Sequence, residues 1–345
     1  MAADRRGRRR CSRHACERVI AGHPIGRPGC DFDPQYASVR KKMTMATAKS
    51  PVFKLNNGIE MPVLGLGVFN SAPETTVAAV GSAIANGYRL IDTAAAYKNE
   101  RQVGEGIHAS GIPREEVFVT TKLWMSDIGY DQTLHAFDRS LRKLGLDSLD
   151  LYLIHWPVPS AFDRTVNSYK AMMKLLAEGR VRAIGVSNFS PGYLDDLIEQ
   201  TGHVPAVNQV ELHPFLNQPE LRKANDELGI ITQAWSPIGG VNRYGQKAKA
   251  SNEVNDPLSN PTVARLAERY GKTPAQIILR WQIELGNSPI PKSVRPERIA
   301  ENIDVFDFAL TSEDVEAINA LDVGARGGWD PKQVDLQTFG TIVED

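Results

Sequence analysis

Along most of the chain, short apolar runs rich in β-branched and aromatic residues alternate with longer stretches whose apolar positions recur every three or four residues. The first pattern reads as buried strands and the second as amphipathic helices. Strands are expected at 63–67, 88–92, 117–121, 149–154, 181–186, 206–209, 230–234 and 288–291. Helices are expected at 73–86, 133–144, 166–178, 191–200, 219–228 and 274–284, and Gly87, Gly145, Gly179 and Gly229 follow several of them where a left-handed cap is needed. Upstream, residues 52–62 read as a hairpin turning tightly at Asn57-Gly58. Eight strands alternating with at least eight helices predict a (β/α)8 TIM barrel, with the hairpin capping its floor.

A doubly wound dinucleotide-binding sheet competes with this, because Gly65-Leu66-Gly67 follows a strand-like run. That fingerprint needs a third glycine and a helix opened directly by the glycines. Here the third glycine is missing and the helical pattern starts only near Pro73, so any nucleotide must be held differently.

Composition separates the first 48 residues from the rest. Residues 1–42 hold eleven Lys and Arg against four Asp and Glu, a balance of +7 within a chain of net charge −1. The body is therefore acidic, which argues against general nucleic-acid binding. All three cysteines, Cys11, Cys16 and Cys30, fall in the leader, and their spacing with His14 and His23 matches no usual zinc finger, so no metal site is expected. The leader has too little apolar surface to order itself and lacks the apolar core of a secretory signal. It reads as a disordered tail, an Arg-rich presequence or an extension absent from the mature protein. The last is favoured, with Met43 or Met45 as the start, leaving 49–345 as one domain. No run suggests a membrane span.

The chemistry lies at strand ends. Asp92, Lys122 and His155 close three expected strands, and Tyr97 follows the first. In a parallel barrel these ends share one face, where active sites are built. An ammonium beside a phenol favours the phenolate, Asp92 can keep Lys122 charged, and His155 can bind a substrate oxygen or pass a proton. Such a set can protonate an oxyanion as a carbonyl becomes an alcohol. Each residue alone could equally be a cap, an ion-pair partner or a packed ring. Ser187, Asn188, Gln209 and Trp235, after the middle strands, suit a flat carboxamide ligand, or are turn and capping residues. Lys292, Ser293 and Arg298, with Glu301 and Asn302, could enclose a phosphate at a helix start, or form a solvated basic turn.

The segments GYRLIDTAAAYKNE, TTKLW, LDLYLIHWP, IGVSNF, VNQVELHP, AWSPIG and IPKSVRPERIAEN resemble the signatures of the aldo-keto reductase superfamily in their usual order. KTPAQIILRW and ENIDVFDF look most similar to bacterial members like 2,5-diketo-D-gluconate reductase. The resemblance implies a cytoplasmic monomer that binds NADPH without a Rossmann motif and reduces small aldehydes and ketones. It assigns Tyr97 as general acid, Lys122 and Asp92 as its tuning pair and His155 as the orienting partner. Ser187, Asn188 and Gln209 would hold the carboxamide, Trp235 would stack on nicotinamide, and Ser236 and Ile238 would meet the pyrophosphate. Lys292, Ser293 and Arg298 would grip the 2′-phosphate, with Glu301 and Asn302 near the adenine. Phe69, Trp124 and Trp156 would form a substrate rim, residues 239–260 a flap or mobile loop, and the tail from Asp322, with Trp329, a substrate loop. Two rival expectations are an NADPH-sensing barrel with little turnover and an aldolase using Lys122 as a Schiff base.

Overall fold

A computed structural model describes residues 50–239, 256–340 and 343, and the backbone of Met43–Thr44. By contacts the chain divides into Met1–Asp31 and Phe32–Asp345, and the first unit lies outside the described residues. So does the rest of the expected leader, with its three cysteines, except that Met43–Thr44 (β1) pairs antiparallel with the next strand.

Val52–Lys54 (β2) and Glu60–Pro62 (β3) form the hairpin. Its turn is one residue longer than Asn57-Gly58 alone suggests. Gly58 N–H donates to Leu55 O at 2.9 Å, and Gly58, at φ 88°, carries the left-handed residue that returns the chain. Asn57 and Asn56 donate to Arg182 O and Pro205 O, just before or at the start of barrel strands, and Met61 is fully buried. The hairpin therefore closes the barrel floor.

Eight parallel strands follow: Leu66–Gly67 (β4), Leu90–Asp92 (β5), Phe118–Leu123 (β6), Leu149–Ile154 (β7), Val181–Ser187 (β8), Val207–Glu211 (β9), Ile231–Trp235 (β10) and Ser288–Pro289 (β11). They pair in sequence order. The ring is closed by Gly65 N–H to Pro289 O and Gly67 N–H to Pro291 O, both 3.1 Å, and by a parallel bridge between Gly67 and Lys292. A Cβ on Gly67 would lie 2.9 Å from Ile290 O. The two glycines that imitate a nucleotide fingerprint are thus the place where the first and last strands approach closely.

The strands are joined by Pro73–Ala85 (α1), Glu100–Ala109 (α2), Tyr130–Leu144 (α3), Phe162–Ala177 (α4), Pro191–Thr201 (α5) and Pro219–Glu227 (α6). Pro261–Tyr270 (α7) and Pro274–Glu284 (α8) lie between β10 and β11, and Pro296–Ile303 (α9) and Ser312–Asn319 (α10) follow β11. In α3 the buried positions Thr133, Ala136, Phe137, Ser140, Leu141 and Leu144 form one helical stripe, ended by Gly145 at φ 64°. Helix α8 starts with a capping box of Thr273 and Gln276 and is buried on all sides, and its charged pair Arg280 and Glu284 bond each other at 2.6 Å. The observed strand bounds differ from the expected ones by a few residues. The apolar runs before β4 and β5 enter the core before strand pairing begins.

Gly67→Ala is expected to destabilise the protein by about 1–3 kcal/mol, because backbone must shift at the seam. Gly81→Ala, in α1 with open space at its Cβ, should be neutral or stabilise by about 0.5–1 kcal/mol. Urea unfolding of both variants checks the contrast.

Candidate active site

The centre of the barrel's C-terminal end is an ion pair removed from water. Lys122, fully buried in β6, donates to Asp92 Oδ1 at 2.6 Å, to Thr93 O at 2.8 Å and, at the long end of hydrogen bonding, to Tyr97 Oη at 3.4 Å. The ammonium's three donors thus have three acceptors. Asp92, at the end of β5, receives Gln209 Nε2 on its other oxygen at 2.8 Å. Gln209 Nε2 also meets Gln233 Oε1 at 2.7 Å, and Gln233 continues to Ser288 Oγ at 3.2 Å. A hydrogen-bonded chain therefore crosses the barrel interior from β6 to β11. Burial pushes the Asp92 carboxyl up and the Lys122 ammonium down in pKa, and each partner opposes the other's shift.

Tyr97 comes from the loop after β5 rather than from a strand end. A single 3₁₀ turn, Ala95–Tyr97, folds it back over the barrel. Asn99 braces this loop: it accepts from Thr93 Oγ1 at 2.8 Å and donates to Val68 O at 2.9 Å. His155 follows β7, with its ring 5.6 Å from that of Tyr97 and edge-on to Trp124 at 5.0 Å between centroids. Burial, and then the Lys122 charge, hold the imidazole pKa well below its usual range, so it is neutral near pH 7. Its buried Nδ1 has no hydrogen-bonding partner among the described residues.

The expected cofactor residues fall into two groups. Ser187 Oγ donates to Gln209 O at 2.7 Å, and Asn188 donates to His155 O at 3.0 Å and accepts from Trp235 Nε1 at 2.9 Å. Asn188 and Ser236 both adopt positive φ, 67° and 49°, so the chain bends sharply where β8 and β10 leave the sheet. Ile238 is half-buried beyond them. The second group lies at the start of α9, which has no side-chain cap. Lys292 and Arg298 are exposed there, Ser293 Oγ accepts from Arg295 N–H at 3.2 Å, Glu301 accepts from Thr273 at 2.6 Å and Asn302 is buried. Arg243, Tyr244 and Lys247 of the expected flap lie in 240–255, outside the described residues.

An aromatic wall rises above the ion pair. Phe69 is tilted against Tyr97 at 4.9 Å. Phe339, which sequence reading missed, contacts Trp124 at 5.4 Å, Trp156 at 5.6 Å and Trp329 at 5.6 Å. Gln233, Asn99 and Thr93 O were also missed. Gln233 is a polar residue inside an apolar run, which is the one signal that could have marked it.

A family model described as "Aldo/keto reductase family" matches residues 63–323. Morphine 6-dehydrogenase of Pseudomonas putida is 52% identical over 295 residues, covering 86% of this chain and 99% of that protein. An aldo/keto reductase structure from Brucella melitensis is 49% identical, with a TM-score of 0.73 over 79% of this chain and 100% of that one. A Bombyx mori aldo-keto reductase solved in complex with NADP is 39% identical, with a TM-score of 0.75 over 83% of this chain and 98% of that one.

Because the pair is buried, breaking it from one side should cost more than removing it whole. Asp92→Asn or Lys122→Met alone is expected to destabilise by about 3–5 kcal/mol, and the double variant by clearly less than the sum. In Lys122→Met the remaining carboxyl has a raised pKa, so the folded state binds more protons than the unfolded state above pH 3.8. Its stability deficit relative to wild type should therefore shrink as pH falls towards that value, as denaturant titrations at several pH values would show.

Proposed function

The chain belongs to the aldo/keto reductase family, and on that premise we propose that it reduces aldehydes and ketones to alcohols with Tyr97 as the general acid. It is an NADP-dependent oxidoreductase. The observation that carries the proposal is Lys122 Nζ lying between Asp92 Oδ1 and Tyr97 Oη beside a neutral His155.

The residues fit the cofactor. The uncapped start of α9, with exposed Lys292 and Arg298 and the Ser293 hydroxyl, suits the 2′-phosphate. The sharp exits at Asn188 and Ser236 bring polar groups and the Trp235 indole to the barrel mouth, which suits a flat carboxamide ring near Ser187 and Gln209. Ile238 would lie along the pyrophosphate, and Glu301 and Asn302 near the adenine. NADPH bound there supplies the hydride.

The chain's own residues then handle the proton. Tyr97 donates it to the carbonyl oxygen as negative charge grows there, and the neighbouring ammonium stabilises the phenolate left behind. Asp92, fixed by Gln209, keeps the ammonium oriented. His155 stays neutral, so it orients the substrate oxygen by a hydrogen bond without competing as a cation. Phe69, Trp124, Trp156 and Phe339 offer mostly apolar area, which favours carbonyl substrates that carry a ring. Dehydrogenation, the direction named for the Pseudomonas putida relative morphine 6-dehydrogenase, is the same step in reverse. A covalent Lys122 mechanism is disfavoured, because the fully buried Nζ is turned to Asp92, Thr93 O and Tyr97 and presents no side to a carbonyl carbon. We take the working form to be a cytoplasmic monomer.

Tyr97→Phe is expected to lower kcat by about 10²–10⁴-fold while NADPH affinity, read by quenching of tryptophan fluorescence, stays near wild type. Turnover retained in that variant would refute the role of Tyr97, and tight NADPH binding without turnover in the wild type would favour a sensor. Replacing Lys292 and Arg298 together with Ala should raise KM for NADPH by roughly 10–100-fold and change that for NADH little. Steady-state rates with both nucleotides and a panel of methylglyoxal, phenylglyoxal and diketogluconate check this.

A further inference from the structure

Two residues beyond Gln209 on β9 stands Glu211, a carboxylate with 1% of its surface exposed that takes no part in the proton chemistry above. Alternation along a strand turns residues 209 and 211 to the same side. Gln209 reaches Asp92, while Glu211 lies one layer higher and reaches the C-terminal segment. Its Oε1 accepts Gly327 N–H at 2.8 Å, and its Oε2 accepts Gly328 N–H at 3.0 Å. Arg326 adds an ion pair at 3.6 Å, and buried His213 Nε2 lies 3.2 Å from Oε1. Just upstream, the segment is tied to Phe215 O through Ala325 N–H at 2.9 Å.

The anchor also touches the expected cofactor platform. Trp235 pairs in register with Glu211 on the neighbouring strand. A Cβ on Gly328 would lie 2.5 Å from Trp235 Cη2 and 3.1 Å from Glu211 Oε2, so only glycine allows the segment to pass between them without a shift. From there the chain carries Trp329, which packs against Phe339, and Phe339 itself, which packs against Trp124 and Trp156. Both tail rings therefore lie downstream of a two-amide clasp on one buried carboxylate.

We infer that Glu211 is a positioning residue for substrate selection: it clasps the Gly327-Gly328 backbone and thereby holds the Trp329 and Phe339 wall over the substrate mouth. This rests on the reductase reading for its effect on selectivity, but the clasp stands apart from that reading. Substrates with a ring against the wall depend on the clasp, and small ones do not.

Glu211→Gln keeps the volume but removes the charge and turns one acceptor into a donor facing an N–H group. In the full chain, hydrogen exchange at the Gly327 and Gly328 amides is expected to accelerate by about tenfold or more, the scale of a lost charge-assisted bond. KM for phenylglyoxal should rise about five- to tenfold more than KM for methylglyoxal, with kcat for each nearly held. Gly328→Ala keeps the carboxylate but forces the segment away from Trp235 and Glu211; it should give the same faster amide exchange and the same ratio of KM increases, whatever its effect on kcat, and carries the test if the first variant does not fold. Unchanged exchange at both amides, or equal KM increases for the two substrates, would overturn the inference. If the wild type reduces no carbonyl, the reductase reading fails, and the exchange rates still decide whether Glu211 is the clasp.

Discussion

The site depends on an ammonium and a carboxylate being kept together where there is no water. Removing each from water costs several kcal/mol, and a loop could not hold two such groups at 2.6 Å against that tendency to resolvate. The barrel does so by carrying Asp92 and Lys122 on neighbouring strands whose backbones are fixed by pairing. Every strong partner of the pair is then supplied from the same interior: Thr93 O for the ammonium and Gln209 for the second carboxylate oxygen. A half-satisfied network would be worse than an apolar core, which is why the chain of contacts runs on through Gln233 to Ser288 rather than stopping at Asp92.

Above this rigid layer the molecule becomes progressively less regular. Tyr97 sits on a single 3₁₀ turn braced by Asn99, so its hydroxyl is brought to Lys122 by a loop whose shape is itself set by buried hydrogen bonds. The aromatic wall is more remote still. Phe339 arrives from a segment held by hydrogen bonds to residues on and just after β9, and its ring packs against residues following β6 and β7. The buried ion pair is thus built on strands, while Tyr97 and the aromatic rings above it are carried by loops, the division expected of a barrel whose strand ends serve many chemistries.

The barrel was legible because its strands are short apolar runs separated by helices with capping signals, and the eight were found nearly at their observed positions. The same holds for Asp92, Lys122 and His155, which interrupt or end apolar runs and so announce themselves. Other features left weaker traces. The hairpin turn took one more residue than Asn57-Gly58 implied, since only Gly58 adopts positive φ. The Gly65-Leu66-Gly67 pattern correctly failed as a nucleotide motif, but only the closure against Pro289 and Pro291 shows why glycine is needed there.

By itself, the sequence determined the period of each element, the barrel class and the residue types available at the strand ends, because these follow from local alternation and spacing. Tertiary structure alone decided which of those groups meet. The pairing of Gln209 with Asp92 spans 117 residues, and that of Gly327 with Glu211 spans 116. Neither could be read from spacing, because a contact across the barrel depends on strand register and on the path of the tail. Those are fixed only when the whole ring has closed.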